Sequence, residues 1–440
     1  MKSFFLIFLF LQTYSTAFRL IRLSSIHKNF VISITNPRTT TTSLDKSNEI
    51  EQNMNTTIIP KESRMVDESE SSSMSTQSFE DDVIIQPHTG YKKVLVTGGA
   101  GFIGSHVAQY LLSRGDDVVI IDEMNDYYDV SIKESNLKML LDQYGKERVS
   151  IHKGDICDEP LMRSIFEQEK PQWVCHMAAR AGVRPSIQDP YIYIHSNIKG
   201  TTLLLELSHQ YGVQNFVFAS SSSVYGGSSS TYFSEDEPVD NPVSPYAATK
   251  KCCELLAYTY HHLYKLNVSG LRFFTVYGPR GRPDMAPFKF IDRVSRDLEL
   301  QQFGDGSSSR DYTFISDIVD GVVRAIDRPY PYQIFNLGKG NGTSLNEFID
   351  LVQKYVGKKA NVKILPDQPG DVPYTCADVS KAQQLLGYTA KVPFEEGIRQ
   401  TVSWYKSAYD KKELRNCPEI QANGLGRSPS LVNLQSVKIN

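Results

Sequence analysis

A run of glycines at residues 98–104 constrains this chain more than any other feature. Thr97-Gly98-Gly99-Ala100-Gly101-Phe102-Ile103-Gly104 joins a short apolar strand, Val94-Leu95-Val96, to an apolar helix from Phe102 to Leu112. Gly98, Gly101 and Gly104 follow Gly-x-x-Gly-x-x-Gly spacing. A dinucleotide pyrophosphate must come close to backbone N–H groups at a helix N-terminus, and side chains on the turn would block it. A glycine at the third position lets the helix pack tightly on the strand. Glycine triplets recur by chance, so the weight of this one comes from its strand–turn–helix setting. Gly98, Gly101, Phe102, Ile103 and Gly104 are the first candidate cofactor contacts.

Val118-Val119-Ile120-Ile121 forms a second apolar strand, closed by Asp122, 18 positions after Gly104. A carboxylate there can accept hydrogen bonds from adenosine ribose hydroxyls and repels a 2′-phosphate, which favours NAD over NADP. Helices are expected around Asn136 to Tyr144 and from Leu161 to Glu169, with strands at Val149 to His152, Trp173 to Met177 and Phe216 to Ala219. Asp155-Ile156 follows the third strand, in reach of the adenine; Ala178-Ala179 follows the fourth, where small side chains leave room for the cofactor. Continuous apolar strands alternating with amphipathic helices imply an α/β fold, a doubly wound parallel sheet covered on both faces. Beyond Tyr277 glycine and proline are frequent and the pattern loosens, which predicts a smaller C-terminal lobe. The resulting division is a dinucleotide-binding domain over residues 91–275 and a partly interleaved substrate-binding lobe over 276–407, with the substrate cleft between them.

Composition narrows the function classes. The 440 residues carry 47 basic and 50 acidic side chains, a net charge of −3, which gives no footprint for wrapping nucleic acid. No apolar run reaches the roughly 20 residues of a membrane-spanning helix. The six cysteines lack a Cys-x-x-Cys pair, so neither a disulfide scaffold nor a metal site is expected. Residues 1–18 hold one basic side chain, the apolar block Phe4 to Leu11, and small residues at Ser15 and Ala17, the pattern of a secretory signal. An uncleaved signal anchor is the second choice, and membrane contact is expected only through that segment. Residues 19–90, rich in Ser, Thr, Asn and acidic side chains, and residues 408–440 show no sustained apolar periodicity. Such stretches cannot bury enough apolar area to offset their ordering entropy and are expected to be disordered.

Chemistry gathers further along. Tyr246 and Lys250 lie four apart in Ser244-Pro245-Tyr246-Ala247-Ala248-Thr249-Lys250. Pro245 suits a first helical position, and a four-residue step puts both side chains on one helix face. A tyrosine acts as a base only as phenolate, and a nearby ammonium favours that form. Ser221, Ser222 and Ser223 follow the fifth strand, at the carboxyl edge where such sheets bind ligands. One of these hydroxyls can hydrogen-bond the substrate oxygen that Tyr246 deprotonates.

With these residues the chain resembles the extended short-chain dehydrogenases/reductases, specifically the NAD-dependent nucleotide-sugar epimerases, over roughly Tyr91 to Tyr405. It most resembles the UDP-glucuronate 4-epimerases, through Asn125-Asp126-Tyr127-Tyr128-Asp129, the segment Ala179 to Ser186, the segment Gly278 to Ala286, and Gly304-Asp305-Gly306 through Arg310-Asp311-Tyr312. The resemblance implies a Rossmann fold with tightly held NAD, Tyr246 as catalytic base, Lys250 on the nicotinamide ribose and Ser221 as the assisting hydroxyl. It implies that carbon 4 of UDP-glucuronate is inverted to give UDP-galacturonate through a transient 4-keto sugar. Dehydratases and decarboxylases of this family carry acidic residues before the Val-Tyr-Gly that here is Val224-Tyr225-Gly226. Ser222 and Ser223 stand there instead, so elimination lacks its general acid.

By the same resemblance Arg282 meets the sugar carboxylate, a two-oxygen target suited to a guanidinium. Thr275, Ser222 and Ser223 complete the pocket, Arg310 binds the diphosphate and Asp371 the uridine ribose. Thr275 and Gln368 depart from the UDP-galactose epimerase pattern, which makes UDP-glucose/UDP-galactose epimerisation the alternative activity. A catalytically silent dinucleotide-binding regulator is a more distant one. The family resemblance further implies a homodimer, paired through helices near Tyr191 to Gln210 and Pro245 to Leu263. The leader-like start points to the Golgi lumen, or to a plastid through a bipartite leader.

Overall fold

The apolar runs fold as strands of three to seven residues, in chain order β1 (Lys93–Thr97), β2 (Asp117–Asp122), β3 (Val149–Lys153), β4 (Trp173–His176), β5 (Asn215–Ser221), β6 (Val268–Phe273), β7 (Thr275–Tyr277), β8 (Glu299–Phe303), β9 (Ser309–Phe314), β10 (Tyr332–Leu337), β11 (Gly342–Ser344) and β12 (Asn361–Leu365). They are seen in a computed structural model that describes residues 83–367 and 374–410. The expected signal segment, most of the expected linker and residues 411–440 lie outside the described residues.

Seven strands form one sheet in the order β3-β2-β1-β4-β5-β6-β10, and every neighbouring pair is parallel. Alternation along each strand feeds two cores. Val94, Val96, Val118 and Ile120 face one side, where they meet Val107 and Leu111 of the Phe102–Ser113 helix, Leu140 of the Val130–Tyr144 helix, and Ile318 and Val322 of the Ile315–Asp327 helix. Leu95, Val119 and Ile121 face the other, with Ile165 and Phe166 of the Glu159–Glu169 helix, Leu204 of the Gly200–Gln210 helix, and Cys253 and Ala257 of the Pro245–Tyr264 helix. Two apolar faces covered by helices are the doubly wound fold that the strand pattern predicts.

The C-terminal lobe rests on a three-stranded sheet, β11-β9-β7, and a two-stranded one, β12-β8. Rings of Tyr277, Tyr312, Phe348 and Phe394 stack and cross within it at centroid distances of 5.1 to 6.3 Å. That lobe is threaded into the first: β10 returns to pair with β6, registering Ile334 on Gly270 and Leu337 on Phe273.

Three boundaries differ from expectation. The second helix starts at Val130 rather than near Asn136, because the Asp129 carboxylate caps it by accepting from Ser131 N at 2.8 Å. Residues 83–90, expected within the disordered linker, run extended against the body: Ile85 N donates to the Tyr330 hydroxyl, and His88 N to Asp327 O at 2.7 Å. Ile85 also packs on the core, and that apolar contact is what ends the linker earlier. The last helix continues to Asp410, past the expected start of the tail at residue 408. Among the described residues no helix is long and apolar enough to cross a membrane.

Candidate active site

The glycine turn, Asp122, Asp155, Ile156, Ala178, Ala179 and the three serines sit at or just beyond the carboxyl ends of β1, β2, β3, β4 and β5, so they gather on one edge of the sheet. Gly98 there has φ +65°, and a Cβ on it would come within 2.8 Å of the Ala178 backbone. A Cβ on Gly104 would come within 2.3 Å of Gly98 O. Both positions need glycine, one for the left-handed turn and one for close packing. No side chain caps the following helix at Gly101. First-turn amides such as those of Phe102 and Ile103 have no acceptor within the helix, so the turn fits a dinucleotide diphosphate.

Asp122 is buried and braces this turn. Its Oδ2 accepts from Ala100 N at 3.2 Å and its Oδ1 from Met124 N at 2.9 Å. Each oxygen keeps a lone pair for a ribose hydroxyl. Two residues missed in the sequence help: Lys133 Nζ lies 3.7 Å from Asp122, and Asn136 Nδ2 donates to Ala100 O at 2.9 Å. Asp155 accepts from His195 Nε2 at 2.7 Å and from Cys157 N at 2.9 Å. Burial raises the Asp155 carboxyl, but the hydrogen bonds from His195 and Cys157 together outweigh it and hold the group below the usual carboxylate range. Asp155, Cys157 and His195 place three possible metal-ligating atoms within 4.8 Å of one another. The expectation of no metal was set by spacing alone, and His195 is 40 residues from Asp155. Burial pushes the Cys157 thiol up to about 12, which disfavours the thiolate a metal needs. Ile156 is buried against Gly200, and Ala178 lies against Gly98.

The Pro245–Tyr264 helix begins as expected. Ser244 caps it by accepting from Ala247 N at 3.1 Å, and Pro245 takes the first turn. Lys250 is only 4% exposed, and its ammonium donates to Ala219 O of β5 at 2.7 Å. Tyr246 is anchored through its backbone N–H, which donates to Ser186 Oγ at 3.1 Å. Its ring meets Tyr193 edge-on with centroids 6.1 Å apart. Ser221 Oγ accepts from Ser223 N at 3.2 Å, which starts the short turn Ser222–Tyr225 and leaves Ser222 and Ser223 half-buried at its rim.

Asn197 is a further residue that sequence reasoning missed. It lies in a π-helical segment, Ile194–Lys199, a conformation that recurs at functional sites. Its side chain accepts from Arg180 N at 2.8 Å and donates to Thr249 Oγ1 at 3.0 Å, tying the segment after Ala179 to the tyrosine helix.

Aromatic rings connect Tyr246 to Arg282. Tyr193 and Tyr127 both direct their hydroxyls at Ala181 O, at 3.2 and 3.4 Å. The Arg282 guanidinium lies 5.3 Å over the Tyr127 ring. The resemblance implies that Arg282 meets the sugar carboxylate; the structure also gives it a resident partner. Its Nε and Nη2 donate to the two oxygens of Asp284 at 2.9 and 2.6 Å. Burial works against the charge, and Asp284 more than offsets it, holding the guanidinium above its ordinary pKa. Thr275 opens β7, and Arg310 is half-buried on β9 with Nη1 donating to Ser309 O at 2.9 Å. Asp371 and Gln368 lie outside the described residues.

Residues 95–401 match the family model described as GDP-mannose 4,6 dehydratase. A UDP-glucuronate 4-epimerase of Thermodesulfobacterium geofontis is 46% identical, over 71% of this chain and 95% of that protein. The crystal structure of a Bacillus cereus UDP-glucuronic acid 4-epimerase in complex with UDP-glucuronic acid and NAD superimposes with a TM-score of 0.67 at 36% identity, covering 72% of this chain and 100% of that one. A Thermotoga maritima UDP-glucose 4-epimerase with UDP-glucose gives a TM-score of 0.67 at 33% identity, covering 72% and 99%. With the glycine turn, the tyrosine–lysine helix and the serine turn on one sheet edge, the chain belongs to the GDP-mannose 4,6-dehydratase family of extended short-chain dehydrogenases/reductases.

Proposed function

We propose that this protein is an NAD-dependent UDP-glucuronate 4-epimerase, converting UDP-glucuronate and UDP-galacturonate into one another. The observation that carries this reading is the line of side chains from Tyr246 through Tyr193 and Tyr127 to Arg282, which has the proposed base at one end and a cation at the other. Gly98, Gly101, Phe102, Ile103, Gly104, Asp122, Asp155, Ile156, Ala178 and Ala179 hold the dinucleotide, with Lys250 on its nicotinamide ribose. NAD held there would supply a reversible hydride acceptor for carbon 4 of the sugar. Tyr246 removes the 4-hydroxyl proton and later gives it back. Ser221 hydrogen-bonds the same oxygen, while Ser222, Ser223 and Thr275 line the pocket and contribute no carboxyl group, so no water is eliminated. Arg282 holds the sugar acid, Arg310 the diphosphate and Asp371 the uridine ribose.

Incubation with UDP-glucuronate, followed by NMR, is expected to show UDP-galacturonate. Replacing Tyr246 by Phe is expected to lower kcat by at least about a thousandfold while NAD stays bound. Absence of UDP-galacturonate with intact NAD would reject the substrate assignment. The second reading, a UDP-glucose/UDP-galactose epimerase, is favoured by one feature: Arg282 already has Asp284 as counter-ion, so a neutral hexose leaves no unpaired cation.

We further place the enzyme in a homodimer, on the exposed apolar faces of the Pro190–Tyr193 and Pro245–Tyr264 helices, and in the Golgi lumen, on the leader-like residues 1–18. Imaging a fluorescent fusion of residues 1–90 separates the Golgi from a plastid.

A further inference from the structure

Glu254 lies on the tyrosine helix, four residues beyond Lys250, and is 1% exposed. Its carboxylate accepts three hydrogen bonds. Arg272 of β6 donates from Nε and Nη2, both at 2.9 Å, and Ser220 of β5 donates its hydroxyl at 2.6 Å. Ser220 directly precedes Ser221. The remaining edge of Arg272 reaches the other end of the serine turn: Nη1 donates to the Tyr225 hydroxyl at 3.0 Å, and the guanidinium lies 4.8 Å over the Tyr225 ring. Tyr225 in turn donates to Asn336 Oδ1 of β10 at 2.7 Å.

A buried ion pair is a poor way to add stability, because desolvation cancels much of the attraction, but a good way to fix one geometry. Here the pair links the helix that carries Tyr246 to Ser220 of β5 and to Tyr225, one at each end of the serine turn. We propose that Glu254 and Arg272, with Ser220 and Tyr225, are positioning residues that set the distance between Tyr246 and the Ser221–Ser223 turn. This rests on the roles given to Tyr246 and the serines above. None of the four touches the sugar; they act by holding the helix and both ends of the turn in one register.

Two variants test it without breaking the ion pair. Ser220→Ala and Tyr225→Phe each remove a single hydroxyl. Each is expected to lower kcat on UDP-glucuronate about tenfold, the cost of a slightly misplaced reacting group. KM, NAD content and the thermal midpoint should stay near those of the parent enzyme. The isotope effect from deuterium at sugar carbon 4 should rise, because hydride transfer becomes slower relative to the other steps. Ser220→Thr, which restores a hydroxyl, should recover most of the rate. Unchanged kcat and isotope effect in both variants overturns the proposal, as does a lowered thermal midpoint with kcat and KM intact. Tyr246→Phe is measured alongside: retained turnover there refutes the assignment of the base, independently of what Ser220→Ala shows.

Discussion

A guanidinium held on its Nε/Nη2 edge by Asp284 still has donors on its other edge to offer a second carboxylate. Arg282 is therefore braced rather than blocked: Asp284 fixes its edge and Tyr127 its face. Hydrogen bonds to charged groups are worth about 1.5–3 kcal/mol, or roughly ten- to more than a hundredfold in a rate constant. Arg282→Ala should lower kcat/KM for UDP-glucuronate by that factor and leave UDP-glucose within about threefold. Equal losses on both sugars would remove Arg282 from the acid end. A second residue-scale effect concerns His176, which is buried between Thr97 Oγ1 at 2.7 Å and Thr201 Oγ1 at 2.9 Å. Burial, and then the charge of Lys250, lower its pKa to about 3, from an ordinary value near 6.5. The folded state thus binds its proton later than the unfolded one. The corresponding stability is complete above about pH 6.5 and is lost as pH falls toward the folded value. Carboxylates titrate lower, so urea midpoints between about pH 7 and pH 5.5 isolate the histidines. His176→Asn should flatten that slope, and an unchanged slope would exclude His176 as its source.

At the scale of elements, the helix that carries Tyr246 has a second face. Leu255 is 57% exposed, and Tyr258 and Leu263 lie on the same outer side. Tyr191, 80% exposed, and Ile194 extend the patch from the neighbouring segment. Exposed apolar side chains gathered on neighbouring elements fit an association site, and self-pairing of one face gives a two-fold dimer. Sedimentation should report a dimer for the parent chain and a monomer for Leu255→Glu/Tyr258→Glu; a monomeric parent would refute the pairing. The same element shows what was legible in the sequence. Tyr246, Lys250 and the Ser244 cap could be read because their relations fall within one or two helical turns. The glycine turn and Asp122 could be read because strand ends in a parallel sheet are brought together by topology. Nothing local in the sequence marks Glu254, Arg272 or Asn197. Their partners are 18, 34 and 52 positions away, and only the folded sheet supplies them. Asp284 was in plain sight two residues from Arg282, but nothing in a loop sequence says that the two side chains turn toward each other.

The whole molecule is less divisible than its sequence texture suggests. A boundary at Thr275 separates the regular βα pattern from the irregular lobe, yet β10 closes the main sheet and the Ile315–Asp327 helix covers it. Ile318, Val322, Val323, Ile326, Ile334, Phe335 and Leu337 are all buried in these two elements. At about 1.5–3 kcal/mol for each fully buried side chain, losing them removes more than about 10 kcal/mol. That is comparable to the whole stability of a domain, about 5–15 kcal/mol. The cut would also strip Asn215 of its carbonyl partners, Ala325 O and Ile326 O, both at 2.9 Å, and Tyr225 of Asn336. A chain of residues 83–275 is therefore expected to show no cooperative thermal transition, to be digested rapidly by trypsin, and to bind no NAD, although it keeps every dinucleotide contact proposed above. Extending it to residue 410 should restore all three properties together. A shorter chain that unfolds cooperatively and retains NAD would show instead that the first lobe is an independent domain, with β10 only an added edge.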